Sequence, residues 1–287
     1  MNIVIIGTGL IGGSIALGIR GFNTHVIGVD SNIDNANKAL ELGIIDEILP
    51  LEQAITIADL IIIAIPVDAT IKILPEILSA INENTIVVDM GSTKVNICNC
   101  VANHPRRANF VAAHPMAGTE NSGPEAAFAD LFKDKKIIIC EKEKSSKAAL
   151  KQAQLLCKIL KLQILYMLPE EHDKHIAYVS HLTHVIAYAL SLTVLEIEKD
   201  EKAIFELAGS GFGSTVRIAK SSTDMWTPIF QQNAKYLTAS IDKYIDILQN
   251  FKKSIQENNH DELYNLIKEA NKIRKVLDKT NFTINKK

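Results

Sequence analysis

Along the first half of this chain, apolar residues gather in short β-branched runs separated by stretches with helical spacing. Runs at 3–6, 25–29, 60–64, 86–89, 110–113 and 136–140 predict strands, and residues 10–20, 32–42 and 69–80 predict helices between them. "LIIIAIPV" at 60–67 shows no polar alternation, so its strand should be covered on both faces. Strands alternating with helices predict an α/β fold built on a doubly wound, mostly parallel sheet, in which ligands bind beyond the carboxyl ends of the strands.

From about Pro169 the pattern changes. "PEEHDKHIAYVSHLTHVIAYALSLTVLEI" is apolar at helical spacing, with proline in the first turn and acidic residues behind it. Further helices are expected at 202–208, 215–221, 224–232, 234–256 and about 261–278. Two domains follow, 1–166 with the sheet and 167–287 all-α. A helical domain of this size commonly buries one face against a copy of itself, so a homodimer is expected. "KEKSSK" near residue 144 and the terminal "NKK" look like solvated surface, and no internal repeat is visible.

Composition narrows the partners. The chain has 287 residues, enough for two ordinary domains, with 47% apolar and 22% charged residues, a globular balance. A net charge of −2 offers no basic footprint for nucleic acid and no lopsided field for a membrane surface, so a small molecule is the expected partner. Cys98, Cys100, Cys140 and Cys157 have no CxxC spacing and read as free thiols in a reducing compartment. The longest unbroken apolar run is too short to cross a bilayer, and the N-terminus opens straight into a strand without a signal-peptide pattern. The expected location is the cytoplasm.

"IVIIGTGLIGGS" places Gly7, Gly9 and Gly12 as GxGxxG between the first strand and the first helix. In that context Gly7 makes the tight turn, Gly9 admits a pyrophosphate and Gly12 lets the helix pack on the strand. The free N–H groups at the helix start, from Leu10 and Ile11 onward, suit phosphate oxygens. "HVIGVD" ends the second strand in Asp30, eighteen residues past Gly12, where a carboxylate can accept from ribose hydroxyls and would repel a 2′-phosphate. The expected domain is therefore Rossmann-like and the expected cofactor NAD rather than NADP, with Pro66 and Val67 after the strand at 60–64 also facing it.

Two more motifs fall at strand ends: Ser92 in "VVDMGSTK" and His114 in "AAHPMAG". His114 could be a buried core imidazole, a metal ligand or an acid/base group, and Ser92 could orient its ring or simply cap a helix. His172, His175, His181 and His184 crowd one predicted helix, but the HExxH spacing is absent, and no metal is expected. Arg217, on the helix after the Gly-rich turn "GSGFG", is either a surface charge or a bidentate carboxylate clamp.

Taken in order, "GTGLIGGS", "VVDMGSTK", "HPMAGTENSG", "EEHDKHIAYVSHLTHVIAYAL", "GSGFGSTVRIAKSSTDMW" and "IFQQN" resemble the TyrA-type prephenate and arogenate dehydrogenases of tyrosine biosynthesis, over nearly the whole chain. The resemblance implies NAD-dependent oxidative decarboxylation of prephenate to 4-hydroxyphenylpyruvate. It implies that His114 is the catalytic histidine and Ser92 its orienting partner near the nicotinamide. It implies that His184 and Arg217 bind substrate, with Thr119, Glu120, His172, Ser180, His181 and Trp226 in or around the pocket. Asp224 departs from this picture: it is either a helix N-cap or a carboxylate that would pair with the ammonium of arogenate and repel the keto acid. The chain ends at Lys287, so no fused tyrosine-sensing domain and no chorismate mutase segment are expected. Rival readings are a β-hydroxyacid-type dehydrogenase and a dinucleotide-binding sensor without turnover.

Overall fold

In the computed structural model, which describes residues 1–278, the β-branched runs pair into one sheet. Its strands are β1 (Asn2–Ile6), β2 (His25–Val29), β3 (Glu47–Ile48), β4 (Leu60–Ile63), β5 (Ile86–Asp89), β6 (Phe110–Pro115), β7 (Lys136–Cys140) and β8 (Gln163–Met167), in the order β3-β2-β1-β4-β5-β6-β7-β8. All neighbours are parallel except β6 and β7. The strand order turns back between β1 and β4, which is the switch point where such sheets bind ligands.

Successive residues of a strand point to opposite faces. Ile3 and Ile5 of β1 enter one apolar cluster with Ile62, Val88, Val111 and Phe132, whereas Val4 and Ile6 enter another with Ile61, Ile63 and Val87. Each buried isoleucine contributes roughly 1.5–3 kcal/mol, so both faces hold the sheet and the unbroken apolar runs are explained. The flanking helices are α1 (Leu10–Gly18), α2 (Ile33–Glu41), α3 (Leu51–Ile57), α4 (Val67–Ala80), α5 (Val95–Cys100) and α6 (Lys147–Ile159). Asn32 caps α2 through Asp34 N–H, and Ser146 caps α6 through Ala149 N–H.

The short strand β3, the edge strand β8 and helices α3, α5 and α6 are not foreseen by the hydrophobic pattern. "KEKSSK" is only partly surface: Ser145 is buried and donates to the Phe110 carbonyl at 2.7 Å, and Ser146 serves as the cap of α6.

Beyond β8 come α7 (Pro169–Ile176), a π-helical segment (Ala177–His181), α8 (Leu182–Glu198), α9 (Ser210–Val216), α10 (Thr223–Gln232), α11 (Ala234–Gln256), α12 (His260–Ala270) and α13 (Arg274–Leu277). Pro169 occupies the first turn of α7. Residues Lys202–Leu207 form a 3₁₀ rather than an α-helix. Gly211 and Gly213, expected in a turn, lie within α9, and Arg217 opens the 3₁₀ turn Arg217–Lys220. The run Pro169–Glu198 is long and apolar enough to cross a bilayer by length and composition, although it carries the histidines of the site described below.

The chain forms two compact units, Met1–Leu237 and a second from Thr238 onward. Helices α7 to α10 thus share a unit with the sheet, although the change from strands to helices comes at residues 166–169. The terminal "NKK" lies outside the described residues.

Candidate active site

The glycine-rich loop is shaped by contacts that admit no side chain. Gly7 has φ +93°, and a Cβ there would sit 2.4 Å from the Ala64 carbonyl oxygen; a Cβ on Gly12 would sit 1.9 Å from the Gly7 oxygen. Gly9 differs, because its Cβ would meet nothing nearer than Gly123 N at 4.0 Å. The space over Gly9 is open, and α1 starts there without a side-chain cap, so the N–H groups of its first turn, beginning with Leu10 and Ile11, face outward for an anion. At the end of β2, Asp30 accepts from Thr8 N (2.8 Å) and Thr8 Oγ1 (2.9 Å) with one oxygen and from Asn32 N (2.9 Å) with the other.

Asp30 borders a cleft of about 870 Å³. Pro66, at the cap of α4, lines it, and Val67 is buried behind. Glu52, Asp68 and Asp224 join Asp30 in the wall, which contains no lysine or arginine. This corrects both readings of Asp224: it sits in the first turn of α10, past the Ser222 cap position, and it lines the cleft beside Asp30. The helical turn explains this, since residues two apart point to nearly opposite sides and Trp226 takes the inner one.

His114 lies inside β6 rather than just past it, opposite Ile138, because the antiparallel ladder with β7 runs on to Pro115. The residue as a whole is 9% exposed. Nδ1 is 2.8 Å from His172 Nε2, and His172 Nδ1 is 2.7 Å from Asp173 Oδ1. Asp173 in turn accepts from the backbone N–H of Lys94 (2.8 Å) and Val95 (2.9 Å). Among the described residues His114 Nε2 has no hydrogen-bond partner, yet it is not among the sealed, unpartnered polar atoms, so it keeps some access to solvent.

Ser92 was expected to orient His114. It is half-buried and makes no hydrogen bond to the ring; His172 takes that place. Lys94, fully buried, pairs with Asp89 and donates to the Ala113 carbonyl at 2.7 Å, one residue before His114. Burial raises the pKa of Asp89 against the opposing pull of Lys94.

The other histidines take separate tasks. Asn233 Nδ2 donates to the Asp173 carbonyl (2.8 Å), so its other bond, at 3.0 Å, makes His181 Nδ1 an acceptor. His184 Nδ1 must donate to the Ser180 carbonyl at 3.0 Å, and its ring stacks on Trp226 at 3.5 Å. Trp226 is itself buried, with His181 edge-on at 5.9 Å and an indole N–H that finds no partner among the described residues. His175 is exposed and stands apart. Burial holds all four clustered imidazoles below the ordinary histidine pKa: His114 well below, His172 against the counter-pull of Asp173, His181 down to about 4, and His184 as well. The cluster is therefore neutral at physiological pH.

Arg217 and Glu120, both expected to meet substrate, are joined to each other in an ion pair, with Arg217 half-exposed. Thr119 is exposed, and its hydroxyl accepts from Asn121 N at 3.2 Å. Ser180 contributes its carbonyl rather than its hydroxyl. Sequence reasoning missed Asp89, Lys94, Asp173 and Asn233. The available signal was weak: charged residues at the end of an apolar strand and directly beside His172.

A glycine-rich nucleotide loop at the switch point of a mostly parallel sheet, with a neutral histidine near the end of β6, three strands along, defines a dinucleotide-dependent oxidoreductase. Residues 14–166 match the nucleotide-binding domain of prephenate dehydrogenase, and residues 168–269 match its dimerization domain. The chain belongs to the prephenate dehydrogenase family. It is 33% identical over 282 residues to the prephenate dehydrogenase of Bacillus subtilis (strain 168), covering 95% of this chain and 75% of that one. It is similar to the crystal structure of prephenate dehydrogenase from A. aeolicus in complex with hydroxyphenyl propionate and NAD+, with a TM-score of 0.83 and 32% identity over 96% of this chain and 98% of that one. It is also similar to the crystal structure of Synechocystis arogenate dehydrogenase, with a TM-score of 0.75 and 25% identity over 96% and 99%.

Proposed function

We propose that this protein is an NAD-dependent prephenate dehydrogenase, converting prephenate to 4-hydroxyphenylpyruvate and carbon dioxide in tyrosine biosynthesis. The observation that carries the reading is His114: a neutral imidazole at the sheet's ligand-binding edge, with Nδ1 engaged and Nε2 open. NAD+ would supply the hydride acceptor, held by Gly7, Gly9, Gly12 and the start of α1 at its pyrophosphate and by Asp30 at its ribose, with Ser92 toward the nicotinamide. The cleft's carboxylates and lack of basic side chains favour NAD over NADP, because a 2′-phosphate would meet only like charge.

His114 takes the C4 hydroxyl proton at Nε2 as that carbon gives up hydride, a proton transfer worth roughly 10²- to 10⁴-fold. The bond to the ring carboxylate then breaks, its electron pair completes the aromatic ring, and the phenol oxygen takes a proton back. Arg217 meets a substrate carboxylate after releasing Glu120, while Thr119, Ser180, His184 and Trp226 shape the pocket and hold the ring in range. Residues 1–166 serve the cofactor, and residues 167–287 serve substrate and dimer. The exposed apolar residues Leu192, Leu195 and Ile197 of α8 are covered by a second copy in a homodimer, and the four free thiols suit the cytoplasm.

Arogenate is the second candidate. Asp224 was the residue offered as its ammonium partner, and it lines the cleft with Asp30 instead. The test is nicotinamide reduction with prephenate and with arogenate, each with NAD+ and NADP+, in the protein and in His114→Asn. Turnover of prephenate with NAD+, lost in His114→Asn while NAD binding persists, is expected; turnover of arogenate alone would reverse the substrate assignment.

A further inference from the structure

The chain of hydrogen bonds behind His114 constrains where its protons sit. Asp173 Oδ1 already accepts the Lys94 N–H, and Oδ2 accepts that of Val95, so this carboxylate acts as an acceptor. His172 must then donate to it from Nδ1, which leaves His172 Nε2 as an acceptor while the ring is neutral. Among the described residues the only group offered to that acceptor is His114 Nδ1, at 2.8 Å, so His114 carries its proton on Nδ1.

We propose that His172 and Asp173 are positioning residues that hold His114 as its Nδ1–H tautomer, keeping Nε2 bare as the base. The assignment rests on the reading of His114 as the proton acceptor of the reaction. When Nε2 gains the hydroxyl proton, the imidazolium still donates from Nδ1 to His172, and the Asp173 carboxylate stands one ring further back. None of the three side chains in this relay has to change partner.

The arrangement is fixed from several elements. His172 and Asp173 come from α7, His181 from the π-helical segment, and Lys94 and Asp89 from the end of β5 and its following turn, while Ile138 of β7 opposite His114 is apolar. Burial does most to disfavour a charged His114, with His172, Lys94 and His181 adding in the same direction, and the Nδ1 hydrogen bond that His172 accepts is what favours the charged form. Asp173 also ties α7 to the start of α5 and, through its carbonyl, to Asn233, so replacing it would damage packing as well as proton placement. His172 is the cleaner target.

The experiment compares His172→Leu and His172→Gln with the wild-type protein in kcat, KM and the pH profile of kcat/KM, and reads the His114 imidazole nitrogens of the resting protein by ¹⁵N NMR. Leu removes the acceptor; the side-chain oxygen of Gln can replace it. The expected result is a fall in kcat on the order of 10²-fold for Leu, with KM little changed and the acid limb of the profile moved to lower pH. Gln should recover a large part of the loss, and wild-type His114 should show a protonated Nδ1 and a bare Nε2. A wild-type His114 protonated on Nε2 would overturn the proposal. So would wild-type kinetics in the Leu variant, or equal losses in both variants with an unmoved acid limb, which is the mark of a merely structural role. If the wild-type protein oxidises neither prephenate nor arogenate, the functional reading fails, and the tautomer is still decided by NMR.

Discussion

At the scale of single residues, what matters here is which hydrogen-bonding atoms are already committed. Asp30 accepts three hydrogen bonds from Thr8 and Asn32, so its carboxylate is pinned before any ligand arrives and still has lone pairs for a ribose diol. Asp30→Ala should raise KM for NAD+ at least tenfold while improving or sparing NADP+, as read from the two cofactors side by side. Equal losses with both would remove Asp30 from the ribose. The places of Gly7, Gly12 and Asp30 were legible in the sequence because strand, turn and helix follow one another locally there, whereas His114, expected just past a strand, lies within β6. The exchange of Ser92 for His172 as the partner of His114 was not legible, since His114 and His172 are separated by 58 residues. Nor was the fate of Glu120 and Arg217, 97 residues apart, which the fold sets against each other.

At the scale of elements, the π-helical segment between α7 and α8 decides which histidines converge. A π turn holds one residue more than an α turn, and each residue of an α-helix advances about 100°. Residues on its two sides therefore sit in a different phase from the one that plain 3.6-residue spacing predicts. With this offset His172 reaches His114 while His181 reaches Asn233 and Trp226. Deleting Val179, a residue 70% exposed, should convert the segment to continuous α-helix and make those two contacts incompatible. Turnover is expected to fall at least 10²-fold, the scale of losing a placed general base, with circular dichroism and cofactor binding retained. Activity near the wild-type level would show that the phase is unimportant. The apolar periodicity correctly placed a helix over this stretch, but it could not show the extra residue, because a π turn leaves the hydrophobic pattern almost intact.

At the scale of the whole molecule, burying a cluster of neutral histidines ties stability to pH. The unfolded chain protonates His181 near its ordinary pKa of 6.5, whereas the folded protein holds out to about 4. Stability present above pH 6.5 is therefore lost as pH falls through that window, by about 3 kcal/mol from His181. His114 and His172, also held down by burial, add slope in the same direction. Denaturant midpoints measured across the window should drop steeply in the wild type and less so in His181→Gln; a flat wild-type curve would contradict the buried, neutral state of the cluster.

The sequence by itself determined the parallel sheet, the nucleotide loop, the acidic end of β2 and the change to helices near Pro169, because each depends on the spacing of neighbouring residues along the chain. Only the tertiary structure decided that His172 and Asp173 stand behind His114, that Asp224 lines the same cleft as Asp30 and that Lys94 is sealed against Asp89. Those facts depend on how α7, α10 and the turn after β5 pack together, and a buried polar group takes whichever partner the packing brings within hydrogen-bond distance, since leaving it unpaired costs about 1–3 kcal/mol.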